Sequence, residues 1–223
     1  MIGEVWQLHR VTNEPSIQES LWPYEITPDH LESLIAEYQR SGYEYISISE
    51  VAERMRGKQG KKFVCITLDD GYANNYEIAY PIFKKYNVPF CIYICEQMIK
   101  GERKEDSIEH YRFLSIDQLQ ALAKEPLCTI GGHTRSHVRL TQLSAEQQET
   151  EIIGCKEWLE KLLDRPIEDY AYPYGDYNQD TLTIMKKIGV KRAVASWGGA
   201  VRKITPNRVL NIPRLLVTER TIE

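Results

Sequence analysis

No apolar stretch in this chain approaches the ~20 residues needed to cross a bilayer, so a transmembrane segment is not expected. Cysteine is sparse and poorly arranged for cross-linking: Cys65, Cys91, Cys95, Cys128 and Cys155 are five in number, and no Cys-x-x-Cys pair occurs. An odd set without that spacing makes neither a disulfide framework nor a thiolate zinc site. Four of the five lie in or beside apolar, strand-like runs. A free thiol there behaves as a small apolar residue, so buried free thiols and a reducing compartment are expected. Long basic runs are missing too. Lys and Arg total 28 against 32 Asp and Glu, a net charge of −4, and nucleic acid is not the expected partner. The mixed-sign stretch 100–106 reads as a solvated loop. Met1-Ile2-Gly3-Glu4-Val5-Trp6 lacks a basic start followed by an apolar run. No signal peptide is therefore expected, and a cytoplasmic location is.

What is present suits a single globular domain over residues 1–223, with 42% apolar and 27% charged residues. Val5–Leu8 is strand-like, and residues 12–25, with Pro15 and Pro23, read as a loop. Thr27-Pro28 gives an N-cap followed by proline at the first helical position. Leu31, Leu34, Ile35 and Tyr38 follow at helical spacing, and Gly42 suits the C′ position. Strands are expected at 43–48, 63–68, 90–94, 127–130, 169–172, 192–195 and 210–217. A helix within 75–86 carries Pro81 in its first turn or as a kink. Ser115 with Gln118, and Ser144 with Gln147, form capping boxes at two further helix starts. Asn178 caps a helix ending near Gly189. Such alternation of strand and helix marks an α/β protein with a parallel sheet, open or closed into a barrel. Either form gathers its active site at the C-terminal ends of the strands.

Three polar clusters follow such strands. In Thr67-Leu68-Asp69-Asp70-Gly71, two adjacent carboxylates end an apolar run. They are expensive to desolvate without a cation, although Asp-Gly alone is also a common turn. Gly131-Gly132-His133-Thr134-Arg135-Ser136-His137 places two of the chain's five histidines four apart. On a helix they would share one face and could reach one cation. Ala171-Tyr172-Pro173-Tyr174-Gly175-Asp176 offers rings that would line a sugar groove or fill the core. One carboxylate and two imidazoles form a three-ligand set with a position left for water, and the second carboxylate remains to act as a base. That composition suits metal-assisted hydrolysis.

These motifs resemble those of the NodB-type polysaccharide deacetylases. Thr67-Leu68-Asp69-Asp70-Gly71 matches Thr-Phe-Asp-Asp-Gly with leucine for phenylalanine, and His133-Thr134-Arg135-Ser136-His137 matches His-Ser/Thr-x-x-His. Leu140, Leu143 and Ser144 continue in the family style, as do residues 79–86 and Val88-Pro89-Phe90, so the likeness runs from about His9 to Val217. It implies a distorted (β/α) barrel of about seven strands. It implies a divalent metal, zinc by preference and otherwise cobalt, nickel or manganese, on Asp70, His133 and His137. Asp69 would be the general base, and the Tyr174 backbone N–H would support the oxyanion. The substrate would be an N-acetylated carbohydrate that releases acetate. The family's third-motif arginine, fourth-motif aspartate-tryptophan pair and C-terminal Leu-x-x-His are all missing, and no histidine follows His137. Poly-N-acetylglucosamine deacetylases carry the last element at the N-terminus, and Leu8-His9-Arg10-Val11 looks like it, which makes His9 the expected general acid. Arg214 is a candidate replacement for the lost arginine and, with Tyr172, Pro173 and Trp197, a candidate substrate contact. The departures leave two rivals, an inactive sugar-binding relative and a hydrolase of another amide. The oligomeric state is not legible.

Overall fold

The computed structural model describes residues 2–14, 24–102, 111–201, 206–219 and 221. The elements in order are β1 (Gly3–Leu8), β2 (Arg10–Val11), β3 (Glu25–Ile26), α1 (Pro28–Arg40), β4 (Glu44–Tyr45), α2 (Ile48–Met55) and β5 (Phe63–Leu68). A π-helical turn at Asn75–Ala79 runs into α3 (Tyr80–Tyr86), followed by β6 (Phe90–Ile94), α4 (Glu96–Lys100), α5 (Ile116–Ala123) and β7 (Cys128–Gly132). Then come α6 (Ala145–Leu163), β8 (Asp169–Ala171), α7 (Gln179–Lys187), β9 (Arg192–Gly198) and β10 (Ile212–Leu216). Strands pair in parallel in the order β1-β10-β9-β8-β7-β6-β5, and β5 returns to β1, so seven strands close a barrel. The short β4 flanks the N-terminal half of β5.

Barrel closure follows from the sequence. β1, β5 and β6 are buried at every position, as expected for parallel strands covered on both faces. Side chains alternate along each strand. Trp6, Leu8, Val64, Ile66, Phe90 and Ile92 pack outward under α1, α3 and α5. Val5, Phe63, Cys65, Cys91, Tyr93, Val194 and Ile212 fill the interior together with Ile48, Val51 and Met55 of α2. All five cysteines are free and buried.

Most helix signals act as read. Thr27 accepts from the His30 N–H with Pro28 in the first turn, and capping boxes form at Ser115, Ser144 and Asn178. Two helices were not read. The strand expected through Ile48 ends at Tyr45, because Ser47 caps α2 by accepting from the Glu50 N–H. The short α4 follows β6 directly. The loop read at 12–25 contains β3 at its end, and its segment 15–23 lies outside the described residues, as does 103–106 of the charged stretch. No described helix is long and apolar enough to cross a membrane.

Candidate active site

The inward row that packs the barrel continues to its C-terminal rim, where it becomes polar. Gln7 and His9 extend the Val5 row of β1, and Thr67 and Asp69 extend the Cys65 row of β5. A cavity of about 430 Å³ opens there, with Gln7, His9, Asp69, Asp70, His133, His137 and Tyr174 in its wall. Ser196, Arg10, Tyr24, Tyr72, Tyr111, Met98 and Arg139 are among the residues along its sides.

Asp70, His133 and His137 converge. One ligand atom from each lies within 4.8 Å of the others. The Asp70 Oδ1 atom stands 3.5 Å from His133 Nε2 and 3.3 Å from His137 Nε2. The histidines do not share a helix face, because the segment is not helical. They sit on a loop in which Thr134 (φ 65°) and His137 (φ 55°) are left-handed. Asp70 (φ 73°) and Tyr174 (φ 59°) are left-handed too, so four of the six such non-glycine residues described lie at this site. Backbone of that kind costs about 1–3 kcal/mol per residue and persists only where its surroundings hold it. The holders are visible. The Tyr170 hydroxyl accepts from Thr134 N (2.7 Å), and Thr134 Oγ1 accepts from His137 N (3.0 Å). Glu151 of α6 accepts from Arg135 N, Ser136 N and Ser136 Oγ at 2.7–3.0 Å.

A cation fits these three side chains. Asp70 Oδ1 is buried without a hydrogen-bond partner, an expensive arrangement for a carboxylate oxygen unless an ion fills the gap. His133 Nδ1 lies 2.8 Å from Ala171 O, so its N–H donates there and the Nε2 lone pair faces Asp70. Burial pushes His133 down to about 4, against the pull of Asp69 and Asp70, which keeps the imidazole in the neutral, ligating form.

Asp69 is held differently. Burial alone would raise its pKa. Burial is the largest single influence, but the Arg214 guanidinium together with His133 and His9 outweighs it, and the carboxyl stays well below the usual range. Arg214 Nη1 and Nη2 donate to Oδ1 and Oδ2, each at 2.7 Å, while its Nε donates to Ala195 O at 2.7 Å. Arg214 is 1% exposed beneath Asp69. It therefore supports that carboxylate and is not the substrate contact it was also expected to be. Alternation along β10 puts Arg214 in the same inward row as Ile212, and the register against β9 shifts between the two. His9 Nε2 is 3.9 Å from Asp69 Oδ2, and the ring meets Tyr24 edge-on at 4.9 Å.

The third cluster divides. The Tyr174 ring lies in the wall between His137 (4.7 Å) and the Arg139 guanidinium (4.2 Å). Tyr172 and Pro173, expected in a groove, are buried, and the Tyr172 hydroxyl donates to Leu210 O at 2.8 Å. Trp197 is 54% exposed but points away from the cavity, because strand alternation gives the inward place to Ser196. Its indole donates to Gly175 O instead. Gln7, Ser196 and Glu151 were missed. Gln7 could have been noticed as the polar residue at the inward register of an apolar strand. Glu151, on a helix distant in sequence, gave no signal.

The polysaccharide deacetylase family profile matches residues 56–193. YxkH of Bacillus subtilis (strain 168), itself named only provisionally as a polysaccharide deacetylase, is 30% identical over 165 residues. That alignment takes in 73% of this chain and 56% of YxkH, so the chain spans little more than half of that relative. A poly-beta-1,6-N-acetyl-D-glucosamine N-deacetylase of Staphylococcus aureus (strain MRSA252) is 29% identical over 210 residues, 90% of this chain and 70% of that one. Two solved structures share the fold. The Streptococcus pyogenes deacetylase PplD, in complex with acetate, superposes with a TM-score of 0.83 at 24% identity, covering 97% of this chain and 92% of PplD. IcaB from Ammonifex degensii gives 0.82 at 23%, covering 97% and 91%. With its family profile matched over more than half its length and its barrel shared with solved deacetylases, the chain belongs to the polysaccharide deacetylase family.

Proposed function

We propose that this protein is a metal-dependent hydrolase that removes the N-acetyl group from an N-acetylated sugar of a glycan and releases acetate. The observation that carries the reading is the convergence of Asp70, His133 and His137 to within 4.8 Å of one another, with Asp69 beside them. The N-acetylglucosamine polymer named for the S. aureus relative supports the substrate class.

Asp70, His133 and His137 would hold a divalent cation, which when bound polarises the amide carbonyl and makes water more acidic. Asp69 takes a proton from the attacking water, its carboxylate kept ionised and oriented by Arg214. The Tyr174 backbone N–H supports the oxyanion that develops as the carbonyl is attacked. His9 then protonates the departing nitrogen, and the C–N bond breaks to give acetate and a free amino sugar. Histidine suits this step because its pKa lies near working pH.

The test is acetate release from β-1,6- and β-1,4-linked N-acetylglucosamine oligomers. Release that stops on chelation and returns with zinc, cobalt, nickel or manganese supports the reading. No release with any of these ions overturns it. The acid role of His9 has its own check. His9→Ala is expected to lower amide turnover about 100-fold, to leave metal stoichiometry unchanged, and to spare an aryl acetate ester whose leaving group needs no proton. Loss of metal from His9→Ala would make His9 a ligand instead.

A further inference from the structure

We propose that Gln7 is a positioning residue that occupies Oδ2 of Asp69 and so keeps the His9 imidazole from pairing with that carboxylate. The role attached to Asp69 and His9 rests on the deacetylase reading above, whereas the positions themselves do not.

Gln7 sits on β1 in register with Thr67 and Leu216 and is 4% exposed. Between Trp6 and Leu8, which pack outward, its side chain points into the barrel. A buried primary amide is costly unless its N–H groups find acceptors. Gln7 Nε2 finds two: it donates to Asp69 Oδ2 at 2.8 Å and to Ser196 Oγ at 3.1 Å. Ser196 in turn lies 3.4 Å from Arg214 Nη2. Strands β1, β9 and β10 thus each give one side chain to a cradle around a single carboxylate.

The two oxygens of that carboxylate differ as a result. Oδ2 accepts from both Arg214 Nη2 and Gln7 Nε2, and Oδ1 accepts from Arg214 Nη1. About two strong donors fill the lone-pair directions of one carboxylate oxygen, so Oδ2 is filled and Oδ1 keeps room for a further proton donor. His9 Nε2 stops 3.9 Å from Oδ2, beyond hydrogen-bond reach. The imidazole needs to move only about 1 Å to bond there, and the amide of Gln7 holds the place it would take. An acid and a base locked in a bond to each other would serve neither water nor amine. Gln7 keeps them near but separate.

Gln7→Met tests this, since methionine is of similar length and has no N–H. Its kcat is expected to fall about tenfold or more, the effect of losing one hydrogen bond to a charged group, with KM and metal affinity unchanged. In a His9→Ala background the same change is expected to cost less than about threefold, because no imidazole remains to be kept away. Nitrogen-detected NMR of His9 in the metal-free protein supplies a readout independent of turnover. Its Nε2 resonance is expected to move toward a hydrogen-bonded value in Gln7→Met and to stay in place in Ser49→Ala, a change at an exposed position of α2. A Gln7→Met kcat within threefold of wild type, an undiminished loss in the His9→Ala background, or an unmoved His9 resonance overturns the proposal. If the wild type releases no acetate, the deacetylase reading fails and the resonance alone decides whether Gln7 holds His9 off Asp69.

Discussion

Asp69→Asn is expected to reduce acetate release about 1,000-fold while the metal stays bound. The amide has the size and shape of the carboxylate but cannot take a proton from water at neutral pH. Asp70, whose Oδ1 faces the two imidazoles, is untouched by the change, and so is the His133 contact to Ala171 that orients one of those imidazoles. The separation of roles between neighbouring carboxylates is what the experiment reads: metal stoichiometry for Asp70, turnover for Asp69. The substitution has a structural cost as well. Its NH₂ group must face Arg214 in either orientation, and Gln7 as well in one of them, and both are donors there. Turnover must therefore be measured below the variant's unfolding midpoint. Wild-type turnover in the folded, metal-loaded Asp69→Asn protein would remove Asp69 from the role of base. Loss of metal would make it part of the cation site.

How far this site was legible in the sequence depended on how local each interaction is. Asp69, Asp70, His133 and His137 are named by two short motifs, and the barrel brings the motifs together because both end inward rows of neighbouring parts of the sheet. Caps were legible for the same reason: Thr27, Ser115, Ser144 and Asn178 each bond within three residues of themselves. Non-local pairings were harder to see. Arg214 lies 145 residues from Asp69, and only the absence of the usual third-motif arginine drew attention to it. Gln7 and Ser196 carry no motif, and Glu151 reaches the histidine loop from a helix whose pattern says nothing of it. The Tyr172 and Trp197 misreadings share one physical cause. Composition marks aromatic residues as sugar-binding candidates, but strand alternation decides which of them face the cavity. The four-residue spacing of His133 and His137 would suit a helix face, but left-handed residues, not a helical turn, bring the rings together.

Arg214→Met is expected to destabilise the fold by about 3–5 kcal/mol, the cost of leaving a buried charge without its partner. Arg214 and Asp69 are each 1% exposed, and Arg214 supplies two of the three donors that the Asp69 carboxylate receives among the described residues. The pH dependence identifies the cause. In the wild type, burial raises the Asp69 pKa, but Arg214, helped by His133 and His9, brings it below its ordinary 3.8. Near that value the folded chain binds fewer protons than the unfolded chain. The stabilisation is therefore complete above the ordinary value and is lost as the pH falls through it toward the folded one. Without Arg214, burial prevails and the sign reverses: the folded carboxyl is the more basic one, and acid relieves the variant while it weakens the wild type. The stability gap between the two should accordingly be widest near about pH 7 and narrow toward about pH 4, read from denaturant midpoints at each pH. Asp69→Asn combined with Arg214→Met should recover part of the loss at neutral pH, because no buried charge then remains without a partner. A gap independent of pH, with no recovery in the double variant, would mean that Arg214 stabilises the barrel through packing alone and that Asp69 keeps its charge by other means.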